Sequence, residues 1–315
     1  MQAVGIDLGG TNIKAALVDR EKGIINQLNI PTEADKGIGH VLDLIAQVIN
    51  RVSQSAEEKV HGVGIGSPGV ISMDRTTVSY PPNLSGWTTV NVASEIERRT
   101  GFMARVENDA NLAALGCSRF GVGQAYDSFI MLTLGTGVGG GIIFNRQLFR
   151  GTTGGAGELG HVTIDYNGRS SNSNTRGGIE AYLGQRFLSR IAAEELREQP
   201  ENPLYERFKD CFEKLDPQEI SMEADKGNQL AIKILHDAGE KLGYAITNYV
   251  HILDIRTVIL SGGVAKAGKW LIQPAIIAAL ERMMPSFHEG FNIIYEELGN
   301  DAALLGASSL AFENI

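Results

Sequence analysis

Apolar residues along the chain fall into short runs typical of strands and into longer stretches spaced about every three or four residues, as in helices. The short runs predict strands at residues 3–8, 13–18, 24–30, 60–66, 103–106, 129–134, 138–144, 257–260 and 292–295. The helical spacing predicts helices at residues 38–52, 92–99, 108–120, 179–195, 203–215, 228–251 and 301–312, with one more after the strand at 257–260. Residues 151–178 are rich in Gly, Ser, Asn and Thr and predict a long loop. The chain is therefore an α/β protein.

The opening of the chain has a counterpart in its middle. IDLGGTNIKAALVD begins at Ile6, and LTLGTGVGGGIIFN begins at Leu132. Each segment predicts a hairpin: a strand, a glycine turn with small and polar residues, and a second strand. Because only two copies occur, the similarity indicates two related α/β halves rather than a solenoid.

Composition and charge exclude several functional classes. The chain has 315 residues, of which 43% are hydrophobic and 21% charged, an ordinary globular balance. A net charge of −9 argues against a broad nucleic-acid surface. The two cysteines, Cys117 and Cys211, form no CxxC pair and can build neither a disulfide framework nor a thiolate metal cage. Neither a signal peptide nor a bilayer-spanning stretch is predicted, so we expect a cytoplasmic protein without membrane or nucleic-acid partners.

The first glycine turn has groups suited to a phosphate and its metal ion. Backbone N–H groups of a glycine turn can approach a phosphate closely, and hydroxyl and amide side chains add donors. A carboxylate at a strand end, Asp7, suits magnesium held through water. A plain hairpin turn with a capping aspartate would explain the segment equally well. The candidate residues are Asp7, Gly9, Gly10, Thr11, Asn12 and Lys14.

Two further glycine segments could serve the same ligand. The turn after the strand at 129–134 could close over the phosphates from the other half, although glycine runs also mark β-bulges. Ser261-Gly262-Gly263 ends a predicted buried strand, and ligands of open α/β sheets bind at the carboxyl ends of strands. Adenosine could therefore lie there, but an ordinary strand-to-helix turn fits as well. The candidates are Thr133, Gly135, Thr136, Gly137, Gly262 and Gly263.

An acidic and amide-rich group of residues suggests a sugar site. Asp109 could act as a general base that accepts the proton of an attacking hydroxyl. It could also merely favour a helix N-terminus, as acidic side chains do. Carboxylates, amides and imidazole all bind the paired hydroxyls of sugars, and we select Asn83, Asn108, Glu158, His161 and Glu180.

Together these motifs resemble the ROK family, which comprises repressors, open reading frames and sugar kinases. The resemblance covers nearly the whole chain and rests on residues 7–14, 82–87, 108–111, 133–141, 158–161 and 301–307, in that order. It implies an actin-like ATPase (ribonuclease H-like) fold, with two α/β domains and a central cleft. We assign residues 1–114, with the C-terminal helix at about 301–315, to a small domain and residues 115–300 to a large one. A homodimer is also implied.

The resemblance also implies a role for each candidate residue. Asp109 would be the catalytic base, and Asn83, Asn108, Glu158, His161 and Glu180 would hold the sugar. The turns at Asp7 and Thr133 would bind the phosphates of ATP, magnesium would be held by Asp7 through water, and Gly262 and Gly263 would lie near adenosine.

One departure from the family pattern concerns zinc. The family usually has C-x-C-G-x-x-G-C-x-E after the histidine and binds structural zinc with these residues. Here Ser171, Ser173 and Gly178 replace the three cysteines, and Asn174 replaces the first glycine of the motif. Serine hydroxyls remain protonated and are poor zinc ligands. We predict no zinc site and hypothesise that hydrogen bonds order this segment instead.

The sequence thus predicts a kinase that transfers the γ-phosphate of ATP to a hexose hydroxyl, with the glucose 6-OH as the first choice. N-acetylglucosamine, N-acetylmannosamine, mannose and fructose remain open as substrates. A non-catalytic sugar-binding protein or a sugar-responsive regulator is the rival class. Family repressors place a helix-turn-helix domain ahead of this core, and the first strand at about residue 3 leaves no room for one.

Overall fold

The computed structural model describes residues 1–173 and 175–313. The described chain divides into two compact units. The first contains Met1–Ser128, Gly141–Gly157 and the segment from Leu298, and the second contains Phe129–Gly140 and Glu158–Glu297. Residues 115–128 and 141–157 thus group with the first unit, whereas the sequence analysis placed them beyond its boundary at residue 114.

The predicted strands are all present, and four short ones join them. In chain order the strands are β1 (Gln2–Leu8), β2 (Asn12–Asp19), β3 (Gly23–Pro31), β4 (Val60–Ser67), β5 (Val70–Ile71), β6 (Thr77–Ser79), β7 (Thr89–Asn91), β8 (Ala104–Asn108), β9 (Phe129–Leu134), β10 (Val138–Phe144), β11 (Gln147–Leu148), β12 (Thr257–Ser261) and β13 (Asn292–Tyr295).

The helices follow the predicted order, with two differences in the middle of the chain. They are α1 (Ile38–Ser53), α2 (Val92–Thr100), α3 (Asp109–Phe120), α4 (Glu180–Leu183), α5 (Gln185–Arg197), α6 (Pro203–Phe208), α7 (Pro217–Asp225), α8 (Gln229–Leu253), α9 (Lys269–Arg282) and α10 (Asp301–Phe312). Of the described helices, none combines the length and the apolar character needed to span a membrane.

The two differences have local causes. The predicted helix at 179–195 is broken at Gly184, whose ψ of 135° is not helical. The predicted helix at 203–215 ends with α6, and α7 was missed. Asp216 accepts a hydrogen bond from the backbone N–H of Glu219 and caps α7, while Pro217 occupies its first position. Asp216 and Pro217 together start a separate helix, α7, at the point where the predicted helix ends.

The first sheet has the strand order β3-β2-β1-β4-β8. The hairpin of β1 and β2 is antiparallel, as predicted, and β4 runs parallel to both β1 and β8. The register aligns Asp7 with Gly66, and Gly66 with Glu107. The carboxyl ends of β1, β4 and β8 therefore lie at one edge of this sheet.

The second sheet has the order β11-β10-β9-β12-β13, with β12 parallel to β9 and β13. Ser261 pairs with Thr133, so the ends of β9 and β12 are also adjacent. A small antiparallel sheet of β5, β6 and β7 was not predicted. Its strands have two or three residues each, too few to show an alternating pattern.

Helix α10 packs so closely on the first sheet that glycine is required at the contacts. Gly5 and Gly64 are paired in neighbouring strands, and a Cβ on either would overlap a backbone carbonyl of α10. For Gly64 that carbonyl belongs to Ala307. On the helix side, a Cβ on Gly306 would overlap the carbonyl of Leu112 in α3. These contacts are between backbones, which cannot move aside as a side chain can.

We expect Gly64→Ala to lower the free energy of unfolding by about 3 kcal/mol or more, because the added methyl overpacks a rigid contact. Chemical denaturation monitored by circular dichroism measures this change. Gly39→Ala is the matched control, since no atom of the described residues lies within 4 Å of a Cβ placed there. This glycine lies in α1, so alanine should be neutral or stabilising by up to about 1 kcal/mol. Equal stability of the two variants would contradict the prediction.

Candidate active site

The edge of the first sheet brings together two of the predicted segments. The turn after β1 and the start of α3 both leave the sheet at this edge, on either side of the end of β4. A Cβ on Gly66 would lie 3.9 Å from the Cα of Asp109. The aspartate is thus next to the end of β4, the strand that separates it from Asp7.

The turn between β1 and β2 is held by backbone and hydroxyl groups. The N–H of Gly9 donates to the carbonyl of Asn12 at 2.9 Å. Following β3, Thr32 donates its hydroxyl to the Gly9 carbonyl at 2.6 Å and its N–H to the Thr11 carbonyl at 2.9 Å. Thr11 and Asn12 are exposed, so their side chains are available to a ligand.

Asp7 and Lys14 face each other across this hairpin. Their Oδ2 and Nζ atoms are 3.6 Å apart, and both side chains are partly buried. Burial raises the pKa of Asp7 above its ordinary value, because it disfavours the charged form, and the Lys14 ammonium only partly offsets this effect. Asp7 therefore releases its proton less readily than an exposed aspartate.

Asn83 lies against the first glycine turn. A Cβ on Gly10 would be 2.6 Å from the Cβ of Asn83, so glycine is needed there for space. Asn83 has a φ of 66°, in the left-handed region that asparagine tolerates better than most residues, and its side chain is exposed. A predicted sugar ligand is thus adjacent to a predicted phosphate turn within the first unit.

Asn108 and Asp109 begin α3. The Asn108 side chain accepts hydrogen bonds from the N–H groups of Ala110 at 3.0 Å and Asn111 at 3.2 Å, and so caps the helix. Its Nδ2 group has no hydrogen-bond partner among residues 1–173 and 175–313 and can donate to a ligand. Asp109 is exposed in the first turn, and its Oδ1 accepts from the N–H of Ala110 at 2.9 Å. This position favours an ionised carboxylate, as a general base requires.

The second unit has an equivalent edge at the ends of β9 and β12. Gly262 has a φ of 96°, and a Cβ there would overlap the backbone of Leu134. The N–H of Gly135 donates to the carbonyl of Gly137 at 3.0 Å, which closes the turn after β9. A Cβ placed on Gly263 would meet no atom of the described chain within 4 Å, so a ligand can approach its backbone. The structure thus brings together Thr133, Gly135, Thr136, Gly137, Gly262 and Gly263.

Three predicted sugar ligands lie near this turn or in the loop that follows. Glu180 accepts a hydrogen bond from the N–H of Val138 at 3.2 Å, and a Cβ on Gly137 would overlap its carboxylate. Glu158 and His161 lie at the two ends of one helical turn, with Oε2 and Nε2 3.7 Å apart. Glu158 is largely exposed and His161 is partly buried.

The sequence analysis missed a basic cavity of about 570 Å³ that begins at Thr136. Three arginines of α5 line it, and Arg197 lies 4.6 Å from the centre of the Phe212 ring. Among the described side chains, none of the three forms an ion pair with a carboxylate. The sequence signal that could have revealed this cavity is the spacing of the three arginines along one face of a predicted helix. Cationic and aromatic groups beside a glycine turn suit a nucleotide. The arginines are Arg186, Arg190 and Arg197.

Comparison with known proteins places this chain in a family. The model that describes the ROK family matches residues 3–314. The chain belongs to the ROK family. Its mixed α/β architecture is accordingly the actin-like ATPase fold of the ROK sugar kinases, and this prediction is confirmed.

Relatives within the ROK family include kinases and repressors. The chain is 34% identical to a glucokinase of Thermotoga maritima over 315 residues, which cover 100% of this chain and 98% of the relative. It is 29% identical to a xylose repressor of Bacillus subtilis, covering 99% of this chain and 77% of the repressor. A ROK family glucokinase from Streptomyces griseus in complex with glucose and AMPPNP is similar in structure, with a TM-score of 0.85, 30% identity and 100% coverage of both chains.

The segment where the ROK family pattern has zinc ligands is held here by hydrogen bonds among His161, Ser171 and Thr175, which we call the hydroxyl clasp. The Thr175 hydroxyl is 3.3 Å from His161 Nδ1 and 2.7 Å from the Ser171 hydroxyl. Ser171 is buried, and its N–H donates to the Thr175 carbonyl at 2.8 Å. The clasp supports the hypothesis that hydrogen bonds order the loop. Asn174 lies outside the described residues.

Another group of possible metal ligands lies on α8. It consists of one imidazole and two carboxylates whose ligand atoms lie within 4.8 Å of one another. Lys233 already pairs with Asp237 at 3.2 Å, which offsets part of the negative charge. This group is a surface cluster of a kind common without a metal, and we assign it no role. Its residues are His236, Asp237 and Glu240.

We expect Thr175→Val to speed tryptic cleavage after Arg169 and Arg176 about thirtyfold, because two hydrogen bonds of about 1 kcal/mol each are lost from the clasp. Limited proteolysis with identification of the fragments by mass spectrometry measures the rate. Thr152→Val is the matched control, since Thr152 is an exposed residue of the same glycine-rich region outside the clasp. Unchanged cleavage of the Thr175 variant would show that the clasp does not order the loop.

Proposed function

We propose that this protein is a kinase that transfers the γ-phosphate of ATP to the 6-hydroxyl of glucose. The observation that carries the proposal is the exposed Asp109 carboxylate at the same sheet edge as the first glycine turn. The proposal is supported by relatives named as glucokinases and by a 30% identical structure that holds glucose and AMPPNP.

In the proposed reaction, Asp109 accepts the proton of the 6-hydroxyl as its oxygen attacks the γ-phosphorus of ATP. ADP leaves from the opposite side of the phosphorus. Phosphoryl transfer depends mainly on positioning and electrostatics. The two glycine turns would align the phosphates through backbone N–H groups, and the cavity lined by Arg186, Arg190 and Arg197 would hold the nucleotide. The sugar would be bound by Asn83, Asn108, Glu158, His161 and Glu180.

At the first turn, the Asp7 carboxylate at the strand end fits a magnesium ion, and the Lys14 ammonium beside it fits the anionic phosphates rather than the metal. We propose that Asp7 holds this ion through water. When bound, magnesium would neutralise charge on the phosphates. We further propose, from the family resemblance alone, that the protein is a cytoplasmic homodimer; light scattering after gel filtration tests its oligomeric state.

The proposed activity is tested by coupling ADP release to NADH oxidation with ATP, magnesium and one sugar at a time. The panel contains glucose, mannose, fructose, N-acetylglucosamine and N-acetylmannosamine. We expect the highest kcat/KM with glucose. A higher value with another sugar would reassign the substrate. Sugar binding without ADP release from any member would support the non-catalytic rival instead.

We expect Asp109→Asn to lower kcat at least about a hundredfold, because the amide cannot accept the hydroxyl proton. Glucose affinity should change less than about threefold, since an amide preserves the shape of the side chain. Steady-state kinetics and calorimetric titration measure the two quantities. Asp127→Asn is the control: Asp127 is an exposed aspartate paired with Arg146 at 2.6 Å. Turnover near the wild-type value in the Asp109 variant would refute its role as base.

The raised pKa of Asp7 predicts a pH-dependent magnesium requirement. As the pH falls, Asp7 takes up a proton earlier than an ordinary aspartate, and the neutral form binds the hydrated ion weakly. We therefore expect the half-saturating magnesium concentration to rise as the pH is lowered from neutral, and to begin rising at a higher pH than it would with an ordinary aspartate. Magnesium titrations at fixed ATP measure it. In Asp7→Asn the requirement should be high at every pH, and a wild-type-like pH dependence in that variant would contradict the assignment.

A further inference from the structure

A buried ion cluster lies directly before Asn108 and Asp109. Glu107, at the end of β8, is 0% exposed. Its Oε2 is 2.6 Å from Nε of Arg150 and 3.3 Å from Nε of Arg75. The N–H of Arg150 is not directed at Oε2 well enough for a hydrogen bond, so the contact is an ion pair. A buried carboxylate is costly without such partners, and the two arginines offset its loss of hydration.

The other oxygen of Glu107 holds the start of α3. Oε1 accepts hydrogen bonds from the backbone N–H of Asn108 at 3.0 Å and from Nδ2 of Asn111 at 3.2 Å. These two donors flank Asp109 in the chain. Since the Asn108 side chain also accepts from the N–H of Asn111, the turn that contains Asp109 is fixed by residues on both of its sides.

The arginines are themselves held by the turn between β5 and β6. The two Nη groups of Arg150 donate to the carbonyls of Met73 at 2.7 Å and Ser72 at 2.9 Å. The carbonyl of Arg75 accepts from the N–H of Val106 in β8 at 2.8 Å. The ion cluster thus connects the small antiparallel sheet of β5 to β7 with the end of β8. The Glu107 carboxylate at its centre is fully buried.

We propose that Glu107 is a positioning residue: its buried carboxylate, held between Arg75 and Arg150, sets the direction in which Asp109 presents its own carboxylate. This inference rests on the proposed function, because only there is Asp109 the catalytic base. A core role alone does not require a charge, because an apolar residue of similar size would be cheaper to bury. The buried ion pair and the hydrogen bonds of Glu107 on both sides of the base therefore favour a role in fixing the geometry and the electrostatic field around Asp109.

The charged groups around Glu107 determine how a substitution there should change the pKa of Asp109. Glu107 faces Arg75 and Arg150, and Arg75 also pairs with Glu313 at 3.0 Å. Other charged groups on adjoining elements are Arg119, 4.0 Å from Glu313, and the pair of Asp7 and Lys14 at the same sheet edge. Removing one negative charge near Asp109 favours its ionised form, and removing one positive charge disfavours it.

The test compares Glu107→Gln with Arg75→Gln. Glutamine at 107 keeps an oxygen for the N–H of Asn108 but removes the negative charge. We expect the pKa of Asp109 to fall in Glu107→Gln and to rise in Arg75→Gln, each by about half to one pH unit. Two measurements report it: the acid limb of kcat/KM for glucose, and the ¹³C NMR titration of the Asp109 carboxyl, assigned with Asp109→Asn. In Glu107→Gln, kcat should fall about tenfold or more while KM for glucose changes less than about threefold.

Glu107→Asp is the conservative control. It keeps the charge, so the titration of Asp109 should stay near that of the wild type even if the shorter side chain lowers kcat. Should Glu107→Gln fail to fold, Arg75→Gln and Glu107→Asp still separate an effect of charge from an effect of shape. Shifts of the same sign in both charge variants, or no shift in either, would overturn the inference. Absence of sugar phosphorylation by the wild type would refute the proposed function instead, and the NMR titration would still decide whether Glu107 acts on Asp109.

Discussion

The parallel register of β1, β4 and β8 is the constraint on which the first half of the site depends. Backbone hydrogen bonds align Asp7, Gly66 and Glu107 in one row, so the residues that follow them leave the sheet together. A slip of one residue in either strand pair would turn every side chain of that strand to the opposite face. The close packing of α10 against Gly5 and Gly64 opposes such a slip, because glycine at these two positions leaves room for the helix backbone.

The second unit also has parallel strands whose ends bring glycine turns together. The pairing of Ser261 with Thr133 places Gly262 beside the turn after β9, as the first sheet places Gly66 beside Asp109. In both units a parallel pair of strands ends where the backbone must come close to another group, and a glycine stands at that point. The two similar hairpins, β1–β2 and β9–β10, thus each begin with a strand that has a parallel neighbour, β4 in the first sheet and β12 in the second.

Local patterns predicted the parts of the fold that local forces determine. The two hairpins, the helix that Asn108 caps and the long helix α8 follow from apolar spacing, glycine turns and a capping side chain. The sheet of β5 to β7 was missed because its strands are too short to show a period. The cluster of Glu107, Arg75 and Arg150 could not be predicted, since its members come from three distant parts of the chain and only the folded backbone brings them together. The arginines of α5 have the spacing of one helix face in the sequence. That this face lines a cavity depends on how α5 packs, which the sequence does not show.

The hydroxyl clasp has a consequence for how the protein would behave in a stressed cell. Thiolates that coordinate zinc are attacked by peroxides and compete with every other chelator for their ion. Threonine and serine hydroxyls do neither, and Thr175 holds the imidazole of His161 without them. The hydrogen bonds among His161, Ser171 and Thr175 are therefore of a kind that neither a peroxide nor a chelator attacks.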